Sequence, residues 1–193
     1  MEKIKSYFME LTIVTAGVLI ALFLSNLTES NQERKYHIAS VKTINNEVEA
    51  NYSGLKGVIE KQNNLLDTLT KYRDAPTSLV DLFQKSSGLQ FATLSNAGLG
   101  FYERNQINSI DFEMMSTLIQ MNILSGVVDT KLEKLAEFTY SNTLGNSKEI
   151  KTVVILHLQN VLNTEYQLLE LYKDFIDENI ETEHNTKVKN YAP

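Results

Sequence analysis

The chain has 193 residues, of which 42% are hydrophobic and 22% are charged, and its formal net charge is −6. That length suits one domain of ordinary size with, at most, one short appendage. The sequence contains no Cys, which excludes a disulfide scaffold, thiol catalysis and every Cys-based metal site. The acidic balance argues against a nucleic-acid partner, and 2 Pro with 8 Gly favour long helices over a multi-stranded sheet.

The strongest local pattern is an uncharged apolar run from Leu11 to Leu27. At a rise of about 1.5 Å per residue the run is roughly 26 Å long, which suffices for a short transmembrane helix. A cleaved secretory signal is the main alternative, because Lys3 and Lys5 precede the run. The end of the run lacks a small-x-small cleavage motif. We therefore expect an uncleaved transmembrane helix over 11–27 after a short cytoplasmic tail, residues 1–10.

The basic residues on the two sides of this run are nearly balanced, with Lys3 and Lys5 before it and Arg34, Lys35 and Lys42 after it. Long domains cross membranes largely regardless of their charge. We therefore expect a single-pass membrane protein in which the residues after Thr28 lie outside the cytoplasm.

Two features of the run are candidate sites. Ala16, Gly17 and Ala21 place small side chains about one turn apart, which allows another membrane helix to approach closely. Such patterns also arise by chance in membrane helices. Glu10 is a carboxylate at the membrane edge, where it either reaches headgroups and water or pairs with a partner.

The membrane helix is predicted to continue into a long amphipathic helix that ends near Asp74-Ala-Pro76, since Pro cannot continue a helix. Steps of three and four residues are typical of a heptad stripe, with Asn45 and Gln62 as polar interruptions. This stripe faces either a coiled-coil partner or, as we favour, later helices of the same chain. Its members are Ile38, Val41, Asn45, Val48, Tyr52, Leu55, Ile59, Gln62, Leu66 and Leu69.

The remaining chain also has residue patterns typical of helices, which predicts an all-α fold. We expect the first and last long helices to pack antiparallel in a bundle. We expect an extracytoplasmic helical domain over 28–184 and a flexible tail over 185–193. A packed loop is predicted to follow the second helix. The predicted helices are a short one capped by Thr77 or Ser78, one from Ser109 or Asp111 to Leu124 that Gly126 ends, one from Asp129 to near Gly145, and one from Ser147 to Glu183.

Residue patterns that carry chemistry are scarce in this sequence. His37, His157 and His184 are far apart and form no His-x-x-x-His pair, so we expect no metal site. No Ser, His and Asp arrangement or phosphate-binding loop stands out. We expect no catalytic residue, no cofactor and no enzymatic activity.

The membrane segment resembles a family of uncharacterised single-pass proteins from Bacteroidetes, which share a Gly-Glu, an aliphatic run, Gly-Ile-Leu-Ile-Ala-Leu and an Asn-rich exit. Here the matching register is Glu10-Leu-Thr-Ile-Val-Thr-Ala-Gly-Val-Leu-Ile-Ala-Leu22 with Ser25-Asn26-Leu27-Thr28-Glu29. A second block is similar over Phe112-Glu-Met-Met115 and 129–140. The resemblance implies an inner-membrane anchor with an extracytoplasmic helical domain, and no activity.

Two hypotheses on function follow. The first is an accessory or scaffold subunit of a bacterial envelope complex, which would contact a membrane protein complex or a second copy of the chain through its membrane helix and heptad helix. The second is a periplasmic helical-bundle module that senses or binds a small ligand, and it requires a polar cluster inside the bundle.

Overall fold

The computed structural model describes residues 2–86, 88–98, 100 and 112–189, and for 2–6, 8 and 179–189 it describes the backbone alone. These described residues form no strand, and they include four helices: α1 (Glu2–Lys71), α2 (Leu79–Lys85), α3 (Phe112–Ser141) and α4 (Lys148–Lys189). The predicted all-α fold is therefore confirmed. The chain divides into two compact units, Met1–Lys42 and Thr43–Pro193, and α1 contributes residues to both.

In the second unit, α1 and α4 pack antiparallel, as the sequence predicts. Contacts between side chains pair Asn51 with Tyr172 and Gln62 with Glu165, so rising numbers on α1 meet falling numbers on α4. α3 runs antiparallel to α4, since the Lys131 Nζ donates to the Asn160 carbonyl at 3.0 Å and the Phe138 ring lies 5.9 Å from that of His157. α1 and α3 are consequently parallel within a three-helix core.

Because α1 and α3 are parallel, the chain between them must travel back along the bundle. The stretch 88–98, which we name the return segment, runs along α1 in the opposite direction. Its Gln90 carbonyl meets Gln62, and its Ser95 meets Asn51 eleven positions earlier on α1. The return segment begins at Gly88, whose φ of 77° is a conformation that favours glycine. The expected packed loop is thus present as a segment that lies on α1, without regular structure over 88–96 and helical at 97–98.

The short helix α2 joins the ends of the longer helices. Ser78 caps it, since the Asp81 N–H donates to the Ser78 Oγ, and this agrees with the predicted cap. The Leu79 N–H donates to the Gly145 carbonyl at 3.0 Å, and the Val80 N–H donates to the Thr143 carbonyl at 3.1 Å. These bonds satisfy N–H groups that a helix leaves unpaired in its first turn, and they tie α2 to the α3–α4 turn.

The predicted break at Gly126 is wrong, because α3 continues unbroken from Phe112 to Ser141. A side chain at Gly126 would meet open space, so this glycine marks no turn or close approach. Buried Ser125 and Val128 flank it, and their packing outweighs the cost of about 1 kcal/mol of one helical glycine. The caps predicted at Ser109 or Asp111 lie outside the described residues.

The buried face of α1 differs in part from the predicted stripe. Five predicted positions are buried, namely Val48, Leu55, Ile59, Gln62 and Leu69. Ile38 is exposed, and the core holds Asn51 and Leu65 where the stripe has Tyr52 and Leu66, which are only half-buried. α4 extends to Lys189, beyond the predicted end at Glu183 and into the stretch predicted as a tail.

Candidate functional site

The first candidate site is the apolar part of α1. Every described side chain from Met9 to Tyr36 is exposed, including the aliphatic and aromatic residues of the uncharged run. The helix is long and apolar enough to cross a membrane. Within the run the Thr15 hydroxyl donates to the Leu11 carbonyl at 2.8 Å. The Thr28 hydroxyl donates to the Leu24 carbonyl at 2.9 Å. These bonds satisfy hydroxyl groups without water, as a lipid environment requires.

Ala16, Gly17 and Ala21 lie on this exposed helix, and nothing within 4 Å would meet a Cβ added at Gly17. The small-residue face is thus open to another helix. Ser25 lies one turn beyond Ala21 and extends the same face by a further small side chain. Glu10 is exposed one residue before the uncharged run, where a carboxylate can remain in contact with water.

The second candidate site is a polar pair inside the bundle of the second unit. Gln62 on α1 and Glu165 on α4 are both fully buried. The Gln62 Nε2 donates to the Glu165 Oε1 at 3.0 Å and to the Gln90 carbonyl of the return segment at 3.0 Å. The Gln62 Oε1 and the Glu165 Oε2 are buried without a hydrogen-bond partner among the described residues. Burial raises the pKa of the Glu165 carboxyl to about 7, although the hydrogen bond from Gln62 acts to lower it.

A second polar contact holds the other end of the return segment. The Asn51 Nδ2 donates to the Ser95 carbonyl at 2.7 Å, and the Ser95 N–H donates back to the Asn51 Oδ1 at 2.9 Å. The Glu47 carboxylate accepts from the Ser95 hydroxyl, from the Ala97 N–H at 2.7 Å and from the Gly98 N–H at 2.6 Å. A Cβ added at Gly98 would lie 2.5 Å from the Glu47 Oε2, so a larger residue there would displace the Glu47 carboxylate.

The cavity beside this contact is small. It measures about 20 Å³ and lies between α1, the return segment, α3 and the Tyr172 side chain. That volume accommodates about one water molecule. Burial raises the pKa of the Tyr172 hydroxyl to about 12, so this group stays protonated and serves as a neutral hydrogen-bonding partner for Asn51.

The third buried polar group is Lys151, in the first turns of α4. Its side chain is fully buried, and its Nζ donates to the Tyr72 carbonyl at 3.1 Å and to the Ala75 carbonyl. Both acceptors lie just beyond the end of α1, where carbonyl groups lack partners within the helix. Lys151 therefore pairs carbonyl groups just after the C-terminal end of α1 and links that end to α4.

Histidine is the commonest metal-ligating side chain. His157 is half-buried beside Phe138, and the side chain of His184 lies outside the described part. Among the described residues, no three His, Asp or Glu side chains are arranged to share a metal ion.

Sequence reasoning missed Glu165 and Lys151 as buried polar residues. A signal for Glu165 is present, because it occupies an apolar stripe with steps of four and three on α4. The stripe is Val154, Leu158, Val161, Glu165, Leu168 and Tyr172. Lys151 precedes Val154 by a step of three and so continues the same stripe, but its partners are backbone carbonyls, which no side-chain pattern indicates.

Comparisons of the chain with family models, with curated proteins and with solved structures find no match.

Proposed function

We propose that this chain is a membrane-anchored, non-enzymatic accessory or scaffold subunit of a bacterial envelope complex, which acts through helix–helix contacts. The observation that carries the proposal is the exposed, uncharged run of α1. An apolar surface of this length is unfavourable in water and favourable in a bilayer. The resemblance of the segment to single-pass inner-membrane proteins supports the same placement, with the second unit in the periplasm.

The open small-residue face supports a role in assembly. The hydrophobic effect does not drive helices together in lipid, so close backbone packing must do so. Gly17 and Ala21 permit that packing, and the space around Gly17 is free. The partner in this proposal is a membrane protein complex or a second copy of the chain.

The alternative, a small-ligand-binding bundle, receives less support from the interior of the second unit. That unit does contain the polar cluster which the alternative requires. However, Glu47, Asn51 and the Gln62 Nε2 form hydrogen bonds to the return segment, and the Gln62 Oε1 and Glu165 Oε2 are enclosed in the core. The cavity beside Asn51 holds about one water molecule.

Substitution of Gly17 by Ile tests the proposal. The variant stays apolar and able to insert, but it places a branched side chain where a neighbouring backbone would pass. We expect co-purification with the membrane partner from mild detergent to be lost, while the amount of inserted protein is unchanged.

The matched control is Thr15→Ile, which adds bulk two residues away on the opposite side of the helix. It should retain the partner. Equal retention of the partner by both variants would show that this face contacts only lipid.

A further inference from the structure

A groove in the second unit, between α3 and α4, remains open on the surface. Its volume is about 410 Å³, and its floor is formed by Ile123 and Leu124 of α3 and Leu171 of α4. The exposed fractions of Ile119, Ile123 and Val127 are 42%, 61% and 38%. These three residues lie one turn apart on α3, so they form a stripe of roughly 12 Å beside the groove. Such a stripe has the length of about two turns of a partner helix.

The two edges of the groove differ in charge. Glu170 and Asp174 line the edge on α4, four residues apart, and both side chains are exposed. Neither takes part in an ion pair within the described residues. Gln120 and Gln167 complete the lining, which contains no Lys or Arg. The groove therefore combines an apolar floor with one anionic edge whose two carboxylates form no ion pair within the described residues.

We propose that this groove docks an amphipathic helix of a partner protein, with apolar side chains at three- and four-residue spacing and Lys or Arg along the edge facing Glu170 and Asp174. The apolar face of such a helix would cover the stripe of Ile119, Ile123 and Val127. Its basic edge would supply the counter-charge. This inference rests on the proposed function, and it names the surface through which the second unit would contact the complex.

Charge distinguishes this occupant from two others. Groove-to-groove pairing of two copies would bring four carboxylates together with no Lys or Arg in either lining, which is unfavourable. An anionic lipid surface would also be repelled by Glu170 and Asp174. A helix with Lys or Arg along one edge would be attracted, and not repelled, by Glu170 and Asp174.

The test uses the full chain in its own membrane, with the photo-crosslinking residue p-benzoylphenylalanine in place of Ile123. We expect an adduct with a second polypeptide, and mass spectrometry should place the crosslink in a segment with helical apolar spacing and flanking Lys or Arg. The double change Glu170→Lys and Asp174→Lys should lower the adduct yield about tenfold, because it turns two attractions into repulsions. Circular dichroism should show unchanged helicity.

The matched control is the double change Glu133→Lys and Glu137→Lys, which alters two exposed carboxylates at the same spacing on α3 outside the groove. It should leave the yield within about twofold. The inference would be overturned by an adduct with lipid or a second copy alone, by no adduct, or by a yield that the groove charges do not change.

A second probe separates failure of this inference from failure of the proposed function. The same residue in place of Leu24 lies seven positions after Gly17, on the small-residue face of α1. An adduct with a membrane protein from position 24 but none from position 123 would overturn the groove while supporting the accessory role. If neither position gives an adduct, the accessory role is refuted as well.

Discussion

The buried carboxyl of Glu165 makes the stability of the helical bundle depend on pH. In the unfolded chain this carboxyl has its ordinary pKa of 4.5, whereas burial raises its pKa in the folded chain to about 7. The folded state therefore holds the proton more tightly. The stabilisation is fully present below about pH 4.5 and is lost as the pH rises through about 7. The difference of roughly 2.5 units corresponds to about 3 kcal/mol.

The Glu165→Gln substitution should remove this dependence. The new side chain keeps an oxygen that accepts from the Gln62 Nε2, and its own NH₂ can donate to the Gln62 Oε1, which has no partner among the described residues. It never ionises. We expect the variant to equal the wild type within about 1 kcal/mol at pH 4.5 and to exceed it by about 3 kcal/mol at pH 8. For a chain of this size, that corresponds to a rise in melting temperature of roughly 6 to 12 °C.

The assay is urea and thermal unfolding of the full chain in a non-ionic detergent, followed by far-ultraviolet circular dichroism between pH 4.5 and 8.5. The matched control is Glu170→Gln, which removes an exposed carboxyl from the same helix and should preserve the wild-type pH profile. The reasoning is refuted if the Glu165→Gln variant loses stability with rising pH as steeply as the wild type does.

Three further predictions concern the core and the membrane placement. Leu65→Ala should lower the unfolding free energy by about 2–5 kcal/mol, and Leu66→Ala should lower it clearly less, because Leu65 is fully buried and Leu66 is half-buried. Urea unfolding measures both losses. Equal losses would contradict the buried face described above. Lys151→Met should cost about 1–3 kcal/mol by the same assay, because it removes the Nζ donor from the Ala75 carbonyl and leaves the Tyr72 carbonyl with the Ala75 N–H alone, and a neutral result would show that water replaces the Nζ. Alkaline phosphatase fused after residue 193 should be active if the second unit is periplasmic, whereas fluorescence of a reporter that folds only in the cytoplasm would reverse that orientation.

The predicted and observed buried faces of α1 agree in every second position of the stripe from Val48 onward and differ in some of the others. Val48, Leu55, Gln62 and Leu69 are buried as predicted. Between them the buried face includes Asn51 in place of Tyr52 and Leu65 in place of Leu66, because neighbouring positions both flank the same stripe and the packing partner decides which one is covered.

The all-helical class, the two long helices and the cap at Ser78 could be predicted from local patterns, and the lengths of the first and last helix indicated their antiparallel packing. The continuity of α3 through Gly126 could not, because it depends on packing against other helices.

The sequence could indicate each buried polar residue separately, but not which residues pair. Gln62 interrupts an apolar stripe on α1, and Glu165 interrupts one on α4, but 103 positions separate them in the chain. Their pairing depends on how two helices are aligned along each other, which no local pattern encodes. The path of the return segment was not predictable either, because it is held by side chains of α1, namely Gln62, Asn51 and Glu47, through contacts between residues far apart in the chain. The groove between α3 and α4 was missed for the same reason.

The buried Gln62–Glu165 pair lowers stability above neutral pH, but it also fixes how α1 and α4 are aligned. Leu, Ile and Val side chains along α1 and α4 would also pack if one helix slid by a turn, since apolar contacts are not directional. The bond from Gln62 to Glu165 exists in one alignment of α1 and α4 only. A slide of one turn would break it and leave the fully buried Glu165 carboxyl without this donor, at about 1–3 kcal/mol. An ionisable carboxyl that lowers stability above neutral pH can therefore still select the observed packing of the bundle, and with it the placement of the groove on its surface.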